Sequence, residues 1–179
     1  MLVARRGRIA YFEPFGFRDR AAEAAMDRDA IFRIGSMTKP MNSLAAMMLV
    51  ERGEVFLGAP LADYLPEFAN PLVAMPRSDG SVGTVPALCE PTILDLMRHT
   101  SGFSYGWTGD SPVKRLYQRD DIDVHAGTSA EYRAKLAALP LEFHPGSTWT
   151  YSVSTDVLGH VVEAVSGILA PNSTLETGS

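Results

Sequence analysis

A chain of 179 residues with 46% hydrophobic and 21% charged residues has the balance of a globular domain with a packed core, not of a disordered segment or a bundle of membrane spans. Sixteen Lys plus Arg against 21 Asp plus Glu leave a net charge of -5, and no basic run exceeds Arg5-Arg6, so the electrostatic footprint of a nucleic-acid binder is missing. A domain of this size buries roughly 70% of its unfolded surface and needs no staples to fold.

In chain order, residues 1–4 and 8–13 are short strand-like runs joined by Arg5-Arg6-Gly7, where glycine supplies the positive φ of a tight turn, so a β-hairpin is predicted at the start. Residues 18–28 read as a polar, alanine-rich link. Ile31-Phe32-Arg33-Ile34 then reads as a brief extended run ending at Gly35, and Ser36 follows directly.

From Met37 the pattern turns helical, with Met41, Leu44, Ala45, Met48 and Leu49 on one stripe and Gly53 as the stop. Ala46, Met47 and Val50 make the opposite face apolar too, which predicts a helix buried in the centre of the fold. Pro40 fits because first-turn N–H groups have no acceptor within the helix. Residues 58–90 are rich in proline and glycine and admit only short pieces, of the kind that often frame active sites. Short helices are predicted at 92–97, 112–117 and 130–138. A longer one at 155–166 has the stripe Val157, Leu158, Val161, Val162 and Val165 and ends at Gly167. The domain is expected to occupy 1–167, with 168–179 a frayed tail.

The one cysteine, Cys89, excludes an internal disulfide, and no four-ligand zinc spacing occurs, so the thiol reads as a small buried side chain. No metal or cofactor is expected. His99 reads as a loop anchor, His125, His144 and His160 lack ligand spacing, and Asp120-Asp121-Ile122-Asp123 reads as a solvated turn. Asn172-Ser173-Thr174 has the form of a glycosylation acceptor, which matters only in a secreted eukaryotic protein. The apolar start Met1-Leu2-Val3-Ala4 is too short for a signal peptide or a membrane span. No membrane partner is therefore expected, and the location expected is the cytoplasm, or the periplasm if a leader has been removed.

Ser36-Met37-Thr38-Lys39 is a candidate for chemistry. A spacing of three on a helix puts serine and lysine on one face, and a lysine at the start of a buried apolar helix is biased toward the neutral amine that can take a serine's proton. The pattern alone is weak: Ser111-Pro112-Val113-Lys114 repeats it and reads as an N-cap followed by proline, and Ser36 by itself has the same N-cap reading. Phe103, Tyr105 and Trp107 either line a pocket or pack into core and rim.

Three ordered stretches change the balance. Phe32-Arg33-Ile34-Gly35-Ser36-Met37-Thr38-Lys39, Leu94-Asp95-Leu96-Met97-Arg98-His99-Thr100-Ser101-Gly102 and Phe143-His144-Pro145-Gly146-Ser147-Thr148-Trp149-Thr150-Tyr151-Ser152 together resemble the class C β-lactamase, DD-peptidase and family VIII carboxylesterase family. The resemblance implies an α/β (α+β) fold, with an antiparallel sheet flanked by helices beside a mainly helical region. It implies acylation of Ser36, proton transfer through Lys39, and Tyr151 acting with Lys39 as base and then as acid toward the leaving group. A tyrosinate beside a lysine is chemically reasonable. The substrate expected is a small ester, with weak β-lactam hydrolysis as a side activity; oligomeric state is not legible.

Two departures qualify this. Family members continue to a further Lys-Thr-Gly or His/Trp-x-Gly strand, which nothing here supplies, so the sheet is expected to be incomplete and the chain to be truncated. Where β-lactamases and peptidases of the group have Tyr-x-Asn, this chain has Tyr151-Ser152-Val153, which tilts the expectation to esters. The competing expectations are a catalytically incompetent remnant or binding fragment, and a D-Ala-D-Ala peptidase or β-lactamase.

Overall fold

The computed structural model describes residues 1–122 and 127–168. The chain forms two compact units, Met1–Gly35 and the part from Ser36 onward.

The first unit contains two antiparallel pairs. Strands β1 (Leu2–Arg5) and β2 (Arg8–Phe12) form the expected hairpin, with a register shift between Val3 and Ala4. Arg6 and Gly7 at its tip both take positive φ, 50° and 73°, the two-residue turn whose twist suits a hairpin. The segment expected to be a link holds a second, smaller pair, β3 (Phe17–Asp19) with β4 (Ala24–Ala25). Its turn is tied by Asp19, whose carboxylate accepts from the N–H groups of Ala21 and Ala22 at 2.8 and 3.1 Å. Short polar side chains that bond nearby backbone build turns without any apolar periodicity, which is why the pattern missed them. Residues 31–34 form no strand, and Ile31 is 98% exposed.

The second unit is mainly helical. Helix α1 (Thr38–Glu51) follows one 3-10 turn at Gly35–Met37, and it closes through bonds from Gly53 N–H to Val50 O and Glu54 N–H to Leu49 O. It is not buried all round. Asn42, Ala46 and Leu49 face inward, whereas Met41, Leu44, Met47 and Met48 remain exposed. The helix is apolar on both sides, so periodicity could not say which side meets the partner helix; the packed side combines Leu49 of the predicted stripe with Ala46 of the face opposite it.

That partner is α5 (Ser154–Ser166), which packs against α1 and against α2 (Ile93–Arg98). Val157, Leu158 and Val161 of α5 are fully buried, and burial of three such side chains contributes about 5–9 kcal/mol before conformational entropy is subtracted. Packing of this size, not helix propensity, fixes a 13-residue helix. Asn42 donates to the Thr155 carbonyl at 3.2 Å and sets the register between α1 and α5.

Two further short helices, α3 (Pro112–Arg119) and α4 (Ser129–Ala137), lie as predicted, each N-capped by the preceding residue, Ser111 and Thr128. Between α1 and α2 the proline-rich stretch contains two 3-10 turns and a hairpin of β5 (Leu72–Pro76) with β6 (Val82–Pro86). Leu141 adds to β5, donating to Leu72 O and accepting from Ala74 N–H, both at 2.8 Å. Among the described residues the strands make three separate two-stranded antiparallel pairs, so the sheet is incomplete, as expected.

Cys89 is exposed, not buried, with its thiol 3.7 Å from the Pro145 carbonyl. It lies between β6 and α2 beside Leu88, which is also exposed, where a residue's intrinsic taste for burial has nothing to act on. His125, Asp123, the sequon and residues 169–179 of the expected tail lie outside the described residues.

Candidate active site

The second and third stretches singled out in the sequence are joined through their backbones. Gly146 N–H donates to Thr100 O at 2.8 Å, Thr150 N–H to His99 O at 3.1 Å, and Glu142 N–H to Gly102 O at 2.7 Å. Gly102 makes this approach feasible. Its φ is +90°, and a Cβ there would stand 2.5 Å from the Phe143 carbonyl oxygen. Gly102→Ala is expected to destabilise the chain by about 1–3 kcal/mol, read as a lower urea midpoint. Gly58→Ala, whose Cβ would meet nothing within 4 Å, is the control expected to leave the midpoint in place.

The loop that carries His99 is anchored by α2. Thr92 and Asp95 form a capping box, and the Asp95 carboxylate also accepts from Thr100 Oγ1 at 2.6 Å. Burial pushes the Asp95 carboxyl up, but hydrogen bonds from Thr100 and Thr92 outweigh it and hold the group below its usual range.

His99 ends α2 in the left-handed conformation. Its Nδ1 accepts from Ser152 N–H at 3.2 Å, so the neutral ring carries its proton on Nε2, facing Thr155 Oγ1 at 3.5 Å. Below it the buried hydroxyls of Ser152, Ser154 and Ser101 are linked at 2.6 and 2.7 Å. His99 is thus the loop anchor expected of it.

Burial, and then the charge of Lys39, hold the His99 imidazole below its ordinary value of 6.5, with Asp156 acting in the opposite direction. The unfolded chain therefore takes up a proton near pH 6.5 that the folded chain refuses. This contribution to stability is complete above pH 6.5 and is lost as pH falls below it. His99→Gln is accordingly expected to flatten the fall in the urea midpoint between pH 7.5 and pH 5.5; an equally steep fall in the variant would contradict this assignment.

Ser36, Lys39 and Tyr151 come together above this support. Ser36 lies in the exposed 3-10 turn before α1, and its Oγ is 2.6 Å from Tyr151 Oη. Lys39 sits one turn further on, its side chain only 16% exposed. Its Nζ donates to Tyr105 Oη at 3.0 Å and lies over the rings of Tyr151 and Tyr105, 5.1 and 5.5 Å from their centroids. Tyr151 packs between His99 and Tyr105, with centroid separations of 4.9 and 5.5 Å.

Two further residues complete the cluster. Tyr105 Oη–H donates to Asp156 Oδ2 at 2.9 Å, and Asp156 Oδ2 is 3.8 Å from Lys39 Nζ. The purely apolar setting expected for Lys39 is therefore corrected: a carboxylate and a phenol oxygen face the amine in a largely buried ion pair. Burial, and then the Asp156 charge, push the Tyr105 phenol far above its ordinary value, which keeps it a neutral donor in this chain of bonds. Asp156 was not singled out from sequence. Its one signal was an acid in the first turn of α5, five residues after Tyr151, on the side that also carries His160 and Glu163.

The second Ser-x-x-Lys match is structural. Ser111 Oγ accepts from Lys114 N–H at 3.2 Å as an N-cap, while Lys114 Nζ donates to Thr108 O at 3.0 Å and pairs with Glu142 at 3.7 Å. Of the aromatic residues left open, Phe103 is core, Tyr105 belongs to the site and Trp107 is 64% exposed on Tyr105. Among the described residues no group of three or more His, Cys, Asp or Glu is placed to hold a metal ion, and no helix is long and apolar enough to cross a membrane.

Comparison with known proteins bears on this arrangement. Residues 1–170 match the family model described as Beta-lactamase. Esterase EstB of Burkholderia gladioli is 43% identical over 169 residues, which cover 93% of this chain and 40% of EstB. The solved structure of EstCE1, described as a hydrolase with promiscuous acyltransferase activity, superposes with a TM-score of 0.72 at 33% identity, over 95% of this chain and 42% of its own. Unliganded simvastatin synthase LovD from Aspergillus terreus gives a TM-score of 0.66 at 26% identity, over 85% of this chain and 38% of its own. The chain thus spans about 40% of the length of EstB.

Proposed function

Starting from a chain that belongs to the β-lactamase family, we propose that it contributes the nucleophile and proton-transfer groups of a serine hydrolase that works through an acyl-enzyme on Ser36. The observation that carries this reading is the 2.6 Å hydrogen bond between Ser36 Oγ and Tyr151 Oη. A serine hydroxyl attacks a carbonyl only as its proton leaves, and the atom in line to receive that proton is the phenolic oxygen of Tyr151.

In the reactive form Tyr151 is a phenolate facing the Lys39 ammonium. Ser36 Oγ bonds to the ester carbonyl carbon as its proton passes to Tyr151. Collapse of the tetrahedral intermediate breaks the carbon–alkoxy bond, and Tyr151 returns the proton to the departing alkoxide. A water molecule then repeats the sequence on the acyl-enzyme and frees Ser36. Lys39 holds the charge on the phenolic oxygen, and Asp156 with Tyr105 fixes where the ammonium lies.

Esters fit the site better than β-lactams. The residues after Tyr151 are Ser152 and Val153, neither of which has a side-chain amide to offer a β-lactam's acylamino group. The likeness to EstB, an esterase, supports the same substrate class. Turnover of p-nitrophenyl acetate by the chain, lost in Ser36→Ala, is the expected result; equal rates in the two proteins would overturn the reading.

A further inference from the structure

The rings around the nucleophile form an unbroken series of contacts. Trp107 packs on Tyr105 at 5.3 Å, Tyr105 on Tyr151 at 5.5 Å, Tyr151 on His99 at 4.9 Å, and His99 on Trp149 at 6.2 Å. Tyr151, which holds Ser36 Oγ, is the middle ring of the five. The inner rings are occupied: Tyr105 and Tyr151 carry Lys39 on their faces, and His99 is committed to Ser152. The two ends are different. Trp107 is 64% and Trp149 62% exposed, so each presents most of an indole to solvent, one ring removed from Tyr151 on either side.

Neither exposed indole belongs to the buried core. They offer flat, apolar faces of the kind on which another ring stacks. The Lys39 ammonium, paired with Asp156, already lies against the two tyrosine rings, so the ring faces left open for stacking are those of the indoles.

We propose that Trp107 and Trp149 are specificity-determining residues: stacking platforms on the two sides of the reacting carbonyl that select esters carrying an aromatic or fused-ring group. An ester projects one substituent to each side of its carbonyl, and an indole stands to each side of Tyr151. The inference rests on the serine-hydrolase reading for its substrate class, but the stacking itself requires no chemistry.

The test separates the two. Ser36→Ala chain is titrated with 2-naphthyl acetate while the side-chain N–H resonances of both tryptophans are followed by NMR. Saturable binding that shifts at least one indole resonance is expected. Adding Trp107→Ala or Trp149→Ala should weaken it about tenfold for whichever indole carries the naphthyl group, and Trp→Phe at the same position should restore most of the loss, which a purely structural role would not do. No saturable naphthyl binding, or affinity unchanged in both Ala variants, overturns the proposal. Should an Ala variant fail to fold, the parent's indole shifts and the Phe variants decide. Naphthyl binding without p-nitrophenyl acetate turnover by the intact chain would defeat the catalytic reading and leave the platforms standing; turnover without naphthyl binding would do the reverse.

Discussion

Tyr151→Phe is expected to slow acylation of Ser36 by about 10²–10⁴-fold, the usual contribution of a positioned general base. The substitution removes one oxygen and keeps the ring. Packing of that ring between His99 and Tyr105 should survive, and the thermal midpoint should change little. What is lost is the 2.6 Å partner of Ser36 Oγ, and in the structure the next candidate, Lys39 Nζ, is bonded to Tyr105 instead. The measurement is the first-turnover release of p-nitrophenolate beside a thermal melt of the same sample. An acylation rate within a few-fold of the parent would show that the proton leaves by another path, and would move the role of base to Lys39.

The second large effect is on stability. Asp156→Ala leaves the Lys39 ammonium largely buried with one phenol oxygen for company, and it also strips Tyr105 of its acceptor. Removing one partner of a buried ion pair costs about 3–5 kcal/mol, because the remaining charge is neither hydrated nor paired. For a chain of this length that corresponds to a fall of roughly 6–20 °C in the melting midpoint. The double change Lys39→Met with Asp156→Leu removes both charges and should recover much of the loss while leaving no ester turnover. That split between stability and activity is the signature of an ion pair kept to position a charge. A single Asp156→Ala variant as stable as the parent would contradict it.

Local chemistry was read well from the sequence and long-range choice was not. The opening hairpin followed from Arg6-Gly7, the helix start at Ser111 from its cap, and α5 from a stripe that has only one apolar side. Each of those signals acts within a few residues. The buried face of α1 depended instead on where α5 approaches, and a helix apolar on both sides carries no record of that.

The site divides in the same way. The spacing of Ser36 and Lys39 put them on one turn but was weak by itself, and they, like Tyr151, were assigned through the three ordered stretches that resemble the family. Asp156 and Tyr105 lie 51 residues apart, and each acquires its role from the other and from Lys39. An aspartate in a helix's first turn has an ordinary explanation in the helix dipole, which hides a carboxylate placed to face a lysine. The second Ser-x-x-Lys match was legible because proline follows Ser111, and the bond from Lys114 N–H to Ser111 Oγ agrees with that N-cap reading.

The most direct test of the acyl-enzyme reading is peptide mapping by mass spectrometry after exposure of the intact chain to a fluorophosphonate. One adduct on Ser36, absent in Tyr151→Phe over the same interval and never on Ser111, is the predicted result. An unlabelled Ser36, or labelling shared equally between Ser36 and Ser111, would contradict it.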